Sequence, residues 1–182
     1  LAAYICYSLH TIIIYSLSVK TLAGLSPLKF FKGMAPAMAL AFSSASSVGT
    51  LPLNLECAEK LGAKKDIASF VLPLGATINM DGTAIMQVAA TLFIAGCGGY
   101  DVSVFQLAVI MLLALIASVG TPAAPGAGAV ILFTILSGVG FTGEQALIAY
   151  TLILAINRPI EMLVTSLNCV GDSLTAIAVA KS

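Results

Sequence analysis

Two stretches, SSASSVGTLP (43–52) and ASVGTPAAPGAG (117–128), place the same tetrapeptide, SVGT, inside long uncharged runs. How those runs meet a membrane decides the fold. Between Lys32 and Glu56 lie 23 uncharged residues, and between Asp101 and Glu144 lie 42. About 20 apolar residues make one crossing of a bilayer. The first run is long enough for that, but its centre holds five hydroxyl side chains together with Gly49 and Pro52. A helix broken at mid-membrane is tolerated only against protein or a water-filled cavity. The second run is too long for one crossing. Its arms, about 16 residues each, reach roughly 24 Å at 1.5 Å rise per residue, short of a full span. Both runs are therefore read as re-entrant hairpins, with the first tip near 46–50 and the second at GTPAAPGAG.

Composition supports the membrane reading. Of 182 residues, 59% are hydrophobic and 9% charged, with mean hydropathy +1.07. A soluble domain carries about 25% charged residues. The class is a polytopic membrane protein. Net charge is zero and no basic patch occurs, so no nucleic-acid partner is expected. Cys6, Cys57, Cys97 and Cys169 lie far apart and are read as small buried hydrophobes. His10 is the sole histidine, so no transition-metal cluster is expected. No phosphate loop and no G-x-S-x-G is present. The chain starts at Leu1 within an apolar run, which reads as a piece of a longer protein without a visible signal peptide.

The few charges orient the chain. With both breaks as hairpin tips, Lys20, Lys29, Lys32, Lys60, Lys64, Lys65 and Lys181 fall on one side, and Asp101 and Glu144 on the other. The positive-inside rule makes the lysine side cytoplasmic. The expected order is a helix (1–24), a first hairpin (31–63), a broken helix (67–99), a second hairpin (103–141) and a long final helix (144–180). Hairpin plus helix, twice, from opposite faces, is an inverted repeat, and the shared SVGT reads as its trace. The fold class is an all-α membrane protein, an inverted repeat of re-entrant helical hairpin plus broken transmembrane helix.

Polar residues inside these spans are the candidate site. GATINMDGTAI (75–85) puts Asn79, Asp81, Gly82 and Thr83 near mid-helix. An acid there is costly unless paired, solvated or bound to a cation. A local unwinding would free carbonyls, and carbonyl, carboxylate and carboxamide oxygens suit a hard cation such as Na⁺. In NRPIEMLVTSLNCVGDS (157–173), Glu161, Val164, Asn168 and Asp172 fall within a sector of about 80° at 100° per residue. That mostly polar stripe must face protein or water. Arg158 either snorkels outward or pairs with Glu161 at i, i+3. Tips, unwound helix and stripe converging at mid-membrane match the logic of secondary transporters.

SSVGTLP, LPLGATINMDGTA, ASVGTPAAPGAGA and NCVGDSLTAIAVAK resemble the glutamate-transporter-like family of dicarboxylate/amino acid:cation symporters. The resemblance covers essentially the whole chain and implies the C-terminal transport part of such a protein. It implies a substrate site of Ser46, Ser47, Thr83, Ala124, Gly126, Glu161, Val164, Thr165 and Asn168. Within it, Ser47, the backbone near Gly126 and Asn168 hold the α-carboxylate, and Glu161 meets the ammonium. One Na⁺ site is implied at the carbonyls of Gly75, Asn79 and Asn168 with the Asp172 carboxylate. A second is implied at the carbonyls of Thr77, Ser118, Val119 and Thr121, and a third at the Asn79 and Asp81 side chains. The second hairpin would be the external gate, and the intact protein a homotrimer in a bacterial or archaeal cell membrane.

Departures from the family pattern bear on the substrate. Members that take acidic substrates place an arginine where this chain has Val164, or in the first tip where it has Ala45. An apolar residue cannot replace bidentate arginine–carboxylate recognition. The expectation is therefore Na⁺-coupled symport of a neutral amino acid by alternating access. The alternatives are H⁺ coupling, or a dicarboxylate or acidic amino acid as substrate. An ion-conducting or purely structural membrane module is a further alternative. Asp81 and Asp172 could instead form an intramembrane aspartyl protease dyad, but Cys169-Val170-Gly171-Asp172 lacks the first glycine of G-x-G-D. No enzyme and no catalytic residue are expected.

Overall fold

The computed structural model describes residues 2–181, and among them every regular element is helical. A first span runs through α1 (Ala2–Leu9), a π-helical segment (His10–Tyr15) and α2 (Ser16–Thr21). Then follow α3 (Pro27–Ser44) and α4 (Ser47–Lys60), α5 (Lys65–Ile78) and α6 (Asp81–Gly98), α7 (Val104–Val119) and α8 (Ala127–Val139), and α9 (Glu144–Ile156) and α10 (Arg158–Lys181). The pairs α3/α4 and α7/α8 pack as hairpins. The order is thus hairpin, broken helix, hairpin, broken helix.

Local chemistry sets the breaks. Pro27 opens α3, where its fixed φ fits and its missing N–H costs nothing. The first tip is only Ala45 and Ser46: Ala45 takes φ 50°, and Ser46 caps α4 by accepting from Gly49 N at 3.1 Å. A capping box starts α7, with Gln106 N donating to Ser103 Oγ at 3.2 Å and Ser103 N to Gln106 Oε1 at 3.0 Å. Gly126, at φ 85°, turns the chain into α8.

Several expectations change. The first tip lies before SVGT, so Ser47–Thr50 is the opening turn of α4. Ser118 and Val119, by contrast, close α7, with Gly120 as its C-cap. The two copies occupy non-equivalent places and are not a trace of the repeat. The final helix is not continuous, because Asn157 interrupts it two residues before Pro159, which has no N–H to bond Ala155 O. This second break makes the two halves alike. The first span is not uniformly α-helical either, since it widens to a π-helix at His10–Tyr15. Of the four cysteines only Cys57 and Cys169 are buried; Cys6 and Cys97 are exposed, as a weakly polar thiol can be on an apolar surface.

Polarity is inverted relative to a soluble domain. Ile12, Phe70 and Phe105 are more than 60% exposed, whereas Gln87, Thr91, Asp172 and Ser173 are at most 1% exposed. Lipid is the solvent that tolerates this surface. Three helical stretches, Ala2–Thr21, Lys65–Gly98 and Arg158–Lys181, are long and apolar enough to cross a membrane. At the centre lies α10, packed on α3, α4, α5 and α6.

Candidate functional site

The site forms where α10 meets the α5/α6 break and both hairpin tips. At the break, Asn79 and Met80 leave helical geometry. Gly82 N, which an unbroken helix would direct to Ile78 O, donates instead to Asp81 Oδ1 at 3.0 Å and to Asn168 Oδ1 at 2.9 Å. Small residues allow this approach: a β-carbon on Gly82 would lie 2.9 Å from Val164 O. Asn168 turns its amide to Thr83 Oγ1 at 3.2 Å. So α10 substitutes for the helical bonds that the break gives up.

Gly75, Asn79, Asn168 and Asp172, the first implied cation set, come together. Asn79 Nδ2 donates to Asn168 O at 3.1 Å and to Asp172 Oδ1 at 3.0 Å. The Asp172 carboxylate lies against Gly75 and is 1% exposed. The oxygens of this set, the carbonyls of Gly75, Asn79 and Asn168 and the Asp172 carboxylate, are the kind of ligand a hard monovalent cation takes.

The second implied set is less tightly gathered. Ser118 and Thr121 are buried, and Thr121 N donates to Ser118 O at 3.0 Å at the end of α7. Val119 is half-exposed, and Thr77 is exposed on α5, which packs beside α7. The third set is divided. Asn79 faces Asn168 and Asp172, while Asp81 Oδ2 faces the first span, bonded to His10 Nε2 at 2.8 Å and to the Tyr15 hydroxyl. His10 and Tyr15 stack edge-to-face at 4.9 Å, at the two ends of the π-helical segment. π-Helical turns recur at functional sites.

Seven of the nine implied substrate residues line one small cavity of about 30 Å³: Ser47, Thr83, Ala124, Glu161, Val164, Thr165 and Asn168. Ala45, Met80, Met86 and Thr121 complete much of its wall. Ser46 and Gly126 are not in its wall: Ser46 ties the two tips together, and Gly126 ties the second tip to α10. Ser46 Oγ donates to Ala123 O at 3.3 Å, and Gly126 N donates to Glu161 Oε1. Glu161 is 8% exposed, and its other oxygen accepts from Arg158 Nη1 at 3.3 Å.

Two features lay outside the sequence reading. Asn54 spans α4 and α10, donating to Cys169 O at 3.2 Å and accepting from Ser173 Oγ at 2.8 Å. His10 and Tyr15 reach Asp81 across more than 60 residues of chain. An isolated buried Asn, and a His among apolar residues, carry no local signal of their partners.

Fold and site together define an integral, multi-pass helical membrane protein of the broken-helix, re-entrant-hairpin kind. The family model for the sodium:dicarboxylate symporter family matches residues 1–182, and the chain belongs to that family. It is 39% identical over 167 residues to excitatory amino acid transporter 3 of Mus musculus, covering 91% of this chain and 31% of that protein. It is 41% identical over 152 residues to excitatory amino acid transporter 2 of Homo sapiens, covering 83% of this chain and 26% of that protein. A third relative is excitatory amino acid transporter 4 of Mus musculus, 39% identical over 155 residues, or 85% of this chain and 27% of that protein. The chain thus spans between a quarter and a third of the length of these relatives. They are named as transporters, not enzymes, and the protease alternative falls. All three are mammalian, and the bacterial or archaeal membrane expected from the sequence finds no support in them.

Proposed function

We propose that the intact protein is a secondary active transporter that couples inward movement of Na⁺ to uptake of an acidic amino acid. The observation that carries the reading is the buried stripe of Glu161, Asn168 and Asp172 on α10, set against the α5/α6 break and both hairpin tips. Na⁺ is supported by the family's description and by the oxygen donors around Asp172. In this reading Gly75, Asn79, Asn168 and Asp172 bind one Na⁺, the end of α7 with Thr77 a second, and Asp81 a third.

The two SVGT segments divide the work. Ser47–Thr50 opens α4; Gly49 and Thr50 N–H are bonded back to Ser46, and the N–H groups of Ser47 and Val48, at the positive end of the helix, are the ones offered to the substrate α-carboxylate. Ser118–Thr121 closes α7 and presents carbonyls to a cation. Glu161 binds the ammonium, and the second hairpin is the external gate. The homotrimer implied by the resemblance belongs to the same reading.

The neutral substrate expected from Val164 and Ala45 is the weaker alternative. The family description names dicarboxylates, and the relatives' names specify excitatory amino acids. Glu161, although paired with Arg158 through one oxygen at 3.3 Å, favours an amino acid over a plain dicarboxylate, since its carboxylate attracts a substrate ammonium and repels a further carboxylate. The test is uptake of labelled aspartate by the intact protein in liposomes, with an inward Na⁺ gradient or with choline replacing Na⁺. Uptake should require Na⁺; equal uptake in both contradicts the coupling.

A further inference from the structure

If the substrate carries a second carboxylate, something cationic must receive it, and neither Val164 nor Ala45 can. Arg158 is the sole arginine of the chain and the sole cationic residue between Lys65 and Lys181. It opens α10 one turn before Glu161. Its Nη1 touches Glu161 Oε2 at 3.3 Å through one oxygen, and its Nη2 reaches Ser44 O only at 3.5 Å. The side chain is 52% exposed. A guanidinium has five donors in a planar fork suited to a carboxylate, so most of this one's capacity is uncommitted.

Arg158 lines a cavity of about 300 Å³ together with Gly126, Ala129, Asn157 and Glu161. Glu161 is the wall shared with the inner cavity. Asn157 is 4% exposed, and its Oδ1 has no partner among the described residues. Amide oxygen and nitrogen exchange places by a simple flip, so Asn157 can present N–H groups to an anion here. An acid at 157 would repel such an anion and compete for Arg158.

We propose that Arg158 recognises the side-chain carboxylate of the substrate, resting on the acidic amino acid reading above. Without substrate it is paired with Glu161. The substrate ammonium takes over Glu161, and Arg158, released, turns to the carboxylate on the outer side of the same wall, beside Asn157. Specificity for an acidic side chain thus comes from the first turn of α10, outside the positions where the family pattern would put it.

The experiment uses the intact protein in liposomes with a Na⁺ gradient, and compares labelled aspartate with labelled serine in wild type, Arg158→Gln and Arg158→Lys. The wild type should prefer aspartate. In Arg158→Gln the half-saturating aspartate concentration should rise on the order of 30-fold, as for loss of a charge-assisted hydrogen bond. That for serine should stay level or fall, because Glu161 loses a competitor. Arg158→Lys should keep part of the preference. An equal change for both substrates, or none, overturns the role of Arg158. A wild type that prefers serine also overturns it while leaving Na⁺ symport intact, whereas no Na⁺-dependent uptake of either overturns both readings.

Discussion

Gly75 and Asp172 face each other so closely that a β-carbon on Gly75 would lie 2.7 Å from Asp172 Oδ1 and 3.1 Å from its Cγ. The carboxylate is boxed between this glycine and the Asn79 amide, 3.0 Å away. Gly75→Ala therefore pushes this carboxylate, the Na⁺ ligand of the proposed function, off its position without changing any charge. The half-saturating Na⁺ concentration for uptake should rise by about tenfold, equivalent to about 1.4 kcal/mol. A Na⁺ titration at saturating substrate checks this, and an unchanged curve contradicts it.

Tyr15 joins the first span to the α6 start and to α10, since its hydroxyl serves both Asp81 and Leu167 O, the latter at 3.1 Å. A hydrogen bond to a charged group is worth about 1.5–3 kcal/mol, and the Asp81 side chain is 25% exposed, so the lower end applies. Tyr15→Phe should lower the thermal midpoint in detergent. In an Asp81→Asn background the same change should cost clearly less, because coupled partners are not additive. Equal costs in the two backgrounds would show that the pair is not coupled.

Asn54 is the polar tie between the first hairpin and α10. Asn54→Ala leaves Ser173 Oγ and Cys169 O without their partner in a buried place, a loss of about 1–3 kcal/mol. Lys60 and Glu56, 2.6 Å apart on the same helix, are both exposed, and Glu56→Gln should leave the melting curve unmoved. Parallel melting curves of the two variants provide the contrast.

Gly126 holds φ 85° while its N–H donates to Glu161. A side chain in that backbone region costs roughly 1–2 kcal/mol. Gly126→Ala should therefore weaken the contact between the second tip and Glu161 and raise the half-saturating substrate concentration, with the melting midpoint lowered by only a few degrees. Wild-type uptake kinetics in this variant would show that the tip geometry is not part of closure.

The breaks differ in how far residues announce them. TINMDG and GTPAAPGAG interrupt apolar runs with polar, Gly and Pro residues, and the chain departs from helix there. The first tip lies at Ala45 and Ser46, at the edge of the 46–50 that SVGT, which looks like a breaker, suggests. With Ser46 as cap, Ser47–Thr50 forms a good opening turn. The break at Asn157 had a signal in Pro159, which the length of the apolar run concealed. The stripe on α10 was legible because one periodicity sets it. The partners of Asp81 were not, because they depend on packing between segments 66 and 71 residues apart. Neither was the 3.3 Å contact between Arg158 and Glu161 decidable, since i, i+3 spacing permits both pairing and outward snorkelling.

In the proposed function, Na⁺ drives an acidic amino acid through the site built on α10. The most direct measurement is labelled aspartate accumulation in liposomes holding the intact protein, under an imposed Na⁺ gradient, with Asp172→Ala alongside. Accumulation above the external concentration in wild type, lost in Asp172→Ala and lost when choline replaces Na⁺, is the predicted result. Accumulation that persists without Na⁺ or without the Asp172 carboxylate would contradict the account.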